Sequence, residues 1–412
     1  MTTALHGPLS AYAARLHATV GDRHHVASPL GAWLLLAVCA AAADTSDPAT
    51  RDLARALGTD AADAAEVART LLDAPHPLVG AATALWHRPG QVNGPPAWRA
   101  ALPTATDVGV LPDQAGLDAW AREHTLGLID TFPLRVGPDV VLALASALAT
   151  RVSWATPFDV ADARALGADS PWAGQLRRAL RSPSQGHRCA IVSTAQAGDV
   201  IVHAAPAQTT DGAGLLVVSV AAAPQVPPAD VLAIAYDLSA GAADGAQPAD
   251  SRSLFDLPLG VTPLWTVTEE RVRTRARDGR EERHTAVLPC WSARSEHDLT
   301  AAALGFPAAS ATLAKTLALP IENVEARQTA VARFGRYGFE AAAVTGMFGL
   351  TSLPPEGVAR TAEMRFGHPY AVVAVATDTG ADGVTRPWHG VPVFSAWISE
   401  PEELPEADAA DR

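Results

Sequence analysis

A chain of 412 residues with 48% hydrophobic content has room for one large domain or a few ordinary ones, and enough apolar residues for a sizeable core. Its formal net charge of −13 opposes a phosphate backbone, which excludes nucleic acid as the main partner. Cys39, Cys189 and Cys290 are odd in number and widely spaced, so neither a disulfide framework nor a zinc site is expected.

The first twenty residues lack a basic end followed by an apolar stretch. No signal peptide is read and a cytoplasmic location is expected, with another secretion route left open. Leu9, Tyr12, Leu16 and Val20 predict a helix. Ser28 is a fair N-cap and Pro29 suits the first helical position of an apolar run to Ala43. That run is shorter than the roughly 20 residues of a membrane span, so a buried helix is predicted.

Short helices are read over 52–57 and 61–72, a buried strand over 78–86 and a helix over 117–129. Residues 140–154 are apolar on both faces, which predicts a central strand covered on both sides. The stretch 159–284 is harder to read, with strands expected at 214–220 and 231–236. Alternating arginines from Arg271 to Arg277, ahead of Asp278-Gly279, predict a hairpin with one solvated face. Strands are read over 285–291, 329–334, 370–377 and 391–398, and a helix over 298–304. The acidic end, 402–412, reads as a disordered tail, and residues 1–401 as one domain.

The stretch from Gly335 to Pro354 commits to neither helix nor strand, because glycines and β-branched residues interrupt its alanines. Read with period two, Phe339, Ala341, Ala343, Thr345 and Met347 share one face, and Glu340, Ala342 and Val344 the other. Signatures of catalysis are missing: there is no GxSxG, Walker loop, HExxH or GxGxxG. The chain is not read as an enzyme, and no cofactor or metal is expected.

Several landmarks in fixed order nevertheless resemble the serpin family, as a divergent bacterial-type member. Ser28-Pro29-Leu30 is similar to its SPL motif, and Ala84-Leu85-Trp86 to its Asn-Ala-Leu-aromatic strand, with Thr83 for Asn. Trp120, Thr125, Gly127 and Ile129 follow its N-x-W-x-x-x-x-T-x-G-x-I pattern, with Asp118 for Asn. Ser146-Ala147, Arg151, Trp154, Pro157 and Phe158 resemble the next block. Leu288-Pro289, Asp298-Leu299, Leu304-Gly305, Pro369-Tyr370, Pro392, Phe394 and Pro401 resemble the closing ones.

The resemblance implies an α+β single domain: a large central mixed sheet, two smaller sheets and about eight helices. It implies a reactive-centre loop over about 335–365, with Gly338, Phe339, Glu340, Ala341, Ala342 and Ala343 as its hinge. It also implies a polar shutter and breach at Ser28, Ser146, Gln328 and Trp154, where Ser146 and Gln328 replace the usual Asn and His. The implied function is suicide inhibition of a serine protease by a monomer, without nucleic acid or membrane. After cleavage the hinge side would enter the main sheet as a new strand. A non-inhibitory serpin-like binding or structural protein, cleaved without trapping, is the alternative.

Counting from the hinge places the bait bond at Ser352-Leu353, with Leu350 and Thr351 as subsite residues for an elastase- or subtilisin-like protease. Counting back from Pro369 points instead to Arg360-Thr361 and a trypsin-like target. Two departures bear on the mechanism: Phe339 stands for the usual Thr, and Arg336 for the usual Glu. An oversized inward side chain costs about 1–3 kcal/mol of overpacking, so slower insertion is expected.

Overall fold

The computed structural model describes residues 2–41, 43–88, 96–135, 137, 140, 142–318, 325–338, 355–380 and 383–409. The first half of the chain runs α1 (Thr2–Ala18), β1 (His25–Ala27), α2 (Pro29–Cys39), α3 (Pro48–Leu57), α4 (Ala61–Leu72), β2 (Val79–His87), α5 (Pro96–Ala101), β3 (Thr106–Val110), α6 (Gln114–His124) and β4 (Leu142–Thr150). The middle holds β5 (Asp159–Asp162), β6 (Arg178–Arg181), β7 (Arg188–Thr194), β8 (Gly198–Pro206), β9 (Ala213–Ala221), α7 (Pro228–Ala242), β10 (Gly260–Val261), β11 (Trp265–Arg273) and β12 (Arg280–Leu288). Then come β13 (Trp291–Asp298), α8 (Phe306–Leu317), β14 (Arg327–Phe334), β15 (Glu356–Arg365), β16 (Tyr370–Asp378), β17 (Pro392–Ile398) and α9 (Glu406–Ala409).

The α+β class holds, with several sheets of which two have six strands each. One six-stranded sheet has the order β1-β17-β16-β9-β8-β7 and another β10-β11-β15-β12-β6-β5. The remaining strands form a three-stranded piece, β3-β2-β4, and a two-stranded piece, β13-β14. At the centre lies α2, every residue of it buried, entered through the Ser28 cap and Pro29. Burial of side chains such as Leu30, Trp33 and Leu36 contributes about 1.5–3 kcal/mol each. Both faces of β4 are covered: Ala143 and Ala145 pack with α6, and Leu144 and Leu148 with the α2 core.

Several expectations are corrected. Residues 231–236 are helical within α7, since Val231, Leu232, Ala235, Tyr236 and Ser239 form a buried helical stripe. A short apolar run carries no period of its own, and Pro228 at the helix start decides it. The arginine ribbon is not a hairpin: β15 lies between β11 and β12, antiparallel to the first and parallel to the second. The expected helix at 298–304 is only a 3-10 turn over Ala302–Leu304, and the real helix, α8, starts beyond Gly305 at φ +83. The helix expected to reach 129 ends at His124, where Thr125 caps it. Residues 402–409 of the expected disordered tail are docked on the fold, with Leu404 buried.

A buried imidazole chain joins α1 to the first sheet. Tyr236 Oη donates to Ser395 Oγ at 2.9 Å, and Ser395 Oγ and His17 Nε2 are 2.7 Å apart. His17 Nδ1 lies 2.7 Å from His25 Nε2, and His25 Nδ1 donates to the Arg23 carbonyl at 2.7 Å. Burial, then the neighbouring His25 and His297, lowers His17 to about 3. Burial foremost lowers His25 to about 4, against a raising backbone hydrogen bond to Arg23. Both folded values lie below the unfolded one, so their stabilisation is complete above about pH 6.5 and is lost as pH falls towards 4. Unfolding in denaturant at pH 7 and pH 5 is expected to differ by on the order of 2–4 kcal/mol from these two groups. A His17→Gln variant should flatten that slope; an unchanged slope would refute the assignment.

Candidate functional site: a cleft between two half-sheets

Among the described residues no strand pairs with the outward edge of β4 or of β14, and these two edges border one cleft. A sheet edge presents a row of N–H and C=O groups without ladder partners, a ready template for another strand. The cleft encloses about 590 Å³, between α6 on one side and α2 and α8 on the other. Leu142, Leu144, Ser146 and Leu148 of β4 line it, as do Arg327, Gln328 and Thr329 of β14.

A polar knot sits mid-cleft at the start of α2. The side chain of Gln328 clasps the backbone of Ser28: Oε1 accepts from Ser28 N at 2.9 Å and Nε2 donates to Ser28 O at 2.8 Å. Ser28 Oγ donates to the Val393 carbonyl at 3.0 Å and accepts from Gly31 N at 3.2 Å. Ser146 Oγ donates to the Gly31 carbonyl at 2.8 Å. Ser28, Ser146 and Gln328 are thus brought together through backbone atoms. Gly31 is the residue that sequence reasoning missed. A Cβ there would lie 3.1 Å from Ser146 Oγ and 3.2 Å from Ser28 Oγ, so any larger residue would press on both hydroxyls by a few tenths of an ångström. A glycine in the first turn of an otherwise bulky apolar helix was the available signal.

The cleft closes at one end, where the chain beyond β4 meets the chain beyond β14. Trp154 N donates to the Tyr337 carbonyl at 3.1 Å, and Trp154 Nε1 to the Gly335 carbonyl at 2.8 Å. Ser153 and Gly338 form an antiparallel bridge. Gly338 has φ +78, and a Cβ on it would lie 2.5 Å from the Val152 carbonyl oxygen. Arg336 is buried beside this closure: its Nε donates to the Phe158 carbonyl at 3.1 Å, while Phe158 N donates to the Arg336 carbonyl at 3.0 Å.

Gly338 is the last described residue of the expected hinge. Phe339, Glu340, Ala341, Ala342 and Ala343, together with Leu350, Thr351, Ser352 and Leu353, lie outside the described residues. The alternative bait pair is corrected. Arg360 and Thr361 sit within β15, paired to Glu269 and Thr268 on one side and Glu282 and Arg283 on the other. Arg360 Nε also donates to Glu269 Oε2 at 2.8 Å, and Nη1 to the Leu254 and Leu257 carbonyls. A bond inside a two-sided ladder is not offered to a protease. Among the described residues, no group of three His, Cys, Asp or Glu side chains gathers to hold a metal. No helix there is long and apolar enough to cross a membrane.

No family model and no curated protein matches the chain. Solved structures do. The thermophilic serpin tengpin in its native state superposes with a TM-score of 0.61 at 13% identity, covering 95% of this chain and 93% of tengpin. This chain has the serpin fold. Human glycosylated kallistatin is similar at a TM-score of 0.61 and 12% identity, over 97% of this chain and 98% of kallistatin. Thyroxine-binding globulin in complex with thyroxine has a TM-score of 0.58 and 13% identity, over 96% and 99%. In this chain β4 and β14 border the cleft between the three-stranded and the two-stranded pieces.

Proposed function

We propose that this chain is a serpin-type inhibitor that traps a serine protease by inserting its cleaved loop between β4 and β14. The observation carrying this reading is the cleft itself, two facing strand edges that, among the described residues, meet at the Ser153–Gly338 bridge. Continuing the Ser153–Gly338 bridge, each residue further along the loop meets one residue earlier on β4. Phe339 then meets Val152, Glu340 meets Arg151, Ala341 meets Thr150, Ala343 meets Leu148, Thr345 meets Ser146 and Met347 meets Leu144.

Ser146 and Leu148 face α2, so the odd-numbered loop residues enter the apolar side and Glu340 stays on the outer one beside an arginine. No charge is buried in that register. Each ladder hydrogen bond contributes about 0.5–1.5 kcal/mol net, with burial added. The loop-out state is the kinetically trapped one. The protein acts as a monomer, with an elastase- or subtilisin-like protease as partner and Ser352-Leu353 as the bait bond. Ser28, Ser146 and Gln328 form the shutter, and Trp154 belongs to the breach.

A second reading, a non-inhibitory serpin-like module, draws support from Arg336, whose buried ties oppose parting at the end where insertion begins. Incubation with subtilisin, elastase and trypsin, followed by a denaturing gel, separates the two. A complex that survives the detergent is expected with subtilisin or elastase. A clean nick without complex would overturn inhibition in favour of the second reading.

A further inference from the structure

The residues beyond Pro401 read as an acidic tail in sequence, yet they dock against the closed end of the cleft. Glu402 N donates to the Cys290 carbonyl at 2.7 Å, and the Glu402 carboxylate accepts from Ser292 Oγ. Leu404 is buried in the core cluster that holds Trp154, Phe158, Trp291 and Phe334. Arg177 N donates to Glu403 Oε2 at 2.7 Å, and its side chain lies 3.7 Å from Glu406. Beyond Leu404, Arg336 Nη1 donates to the Asp408 carbonyl at 2.8 Å. The last carbonyls of a helix lack intrahelical partners, and a guanidinium satisfies one of them with a charge-assisted bond. The same guanidinium binds the Phe158 carbonyl, so one side chain ties the end of the chain to both sides of the closure.

We propose that residues 402–409 form a strap, locked by Arg336, that holds the upper end of the cleft shut and slows entry of the loop. The regulatory half of this rests on the function proposed above; the strap itself does not. For a strand to enter below the retained Ser153–Gly338 bridge, residues 335 and 336 have to move away from Trp154 and Phe158, and Arg336 resists that movement through Phe158 and Asp408 together. An arginine here couples strap and closure because its fork reaches two carbonyls at once. Passive packing of a chain end would stabilise the fold without touching the rate of insertion.

Cys290 reports on the strap. Its side chain is buried, and its backbone carbonyl is covered by Glu402. Burial pushes its thiol up to about 12; Arg333 opposes this, while the Asp408, Glu402 and Glu403 carboxylates add to it. Opening the strap therefore raises both access to the sulfur and its thiolate fraction.

The test compares the full chain with Arg336→Met, which keeps an apolar stem and removes the donors, and with a chain ending at Pro401. Labelling of Cys290 by a maleimide at pH 8, read on the tryptic peptide, is expected to speed up at least about tenfold in both variants. After the loop is nicked by subtilisin, both are expected to reach the heat-resistant state at least about tenfold sooner than the nicked parent. Unchanged labelling in Arg336→Met overturns the strap, and that variant alone decides if the shortened chain does not fold. Faster labelling with an unchanged rate of heat-resistance gain overturns the regulatory role and leaves passive packing. If the nicked parent never becomes heat-resistant, the insertion reading fails and takes the regulation with it, while labelling still decides the strap.

Discussion

An Ala341→Arg variant is expected to be cut by the target protease and to trap almost none of it. In the register proposed above, which continues the Ser153–Gly338 bridge, position 341 would meet Thr150 after insertion and would face the α2 side. A guanidinium entering there would be buried without a partner, a cost of about 3–5 kcal/mol. If most of that cost is felt while the strand enters, insertion slows by at least about 100-fold. Release of cleaved inhibitor then outruns trapping. The ratio of detergent-stable complex to cleaved chain measures the effect, and the nicked variant should gain little resistance to heat. Glu340→Gln, on the outer face, serves as the control and should stay within about threefold of the parent. Phe339→Thr should act in the opposite sense, because in the proposed register it removes a bulky side chain that would enter beside Val152. Undiminished trapping by Ala341→Arg would exclude this register.

Gly338→Ala is expected to destabilise the native state by about 2–4 kcal/mol. Backbone at φ +78 disfavours a residue with a Cβ by about 1–2 kcal/mol. The added carbon would also lie 2.5 Å from the Val152 oxygen and 3.0 Å from Ser153 Cα, both backbone atoms with little freedom to yield. Relief requires parting the Ser153 bridge and stretching the bond from Trp154 N to the Tyr337 carbonyl. The closure of the cleft is thereby weakened where insertion starts. Gly335→Ala is the internal comparison: nothing lies within 4 Å of a Cβ there, and the change should cost no more than about 1 kcal/mol. Urea unfolding of the three proteins distinguishes them, and equal midpoints would show that Gly338 is not held by this contact.

Much of the scaffold is legible in the amino-acid sequence, because local chemistry and periodicity agree. Ser28 and Pro29 mark the start of α2, and Asp298, Leu304, Gly305 and Pro392 stand in recognisable order. The strand 79–87 is legible almost to its ends as a buried apolar run, whereas the run read as a central strand over 140–154 is a strand over 142–150 with one edge unpaired among the described residues. Failures come where a segment's state depends on distant partners. Residues 231–236 have the composition of a strand and are helical within a longer stripe. The arginine ribbon looks self-paired, but β15 arrives from about eighty residues further along to separate its strands. The same strand removes Arg360 from the loop.

By itself the sequence determined the mixed α+β class and a capped, wholly apolar helix. Caps, turns and side-chain period are properties of near neighbours, which is why they survive in one dimension. Tertiary structure alone decided that β4 and β14 leave an open cleft, that Ser28 and Ser146 both bond to the backbone of Gly31, and that residues 402–409 fold back onto Arg336. The atoms concerned are far apart in the chain: 72 positions separate Arg336 from Asp408, 115 separate Gly31 from Ser146, and 300 separate Ser28 from Gln328. Such contacts are set by the packing of whole elements, and no local pattern encodes them.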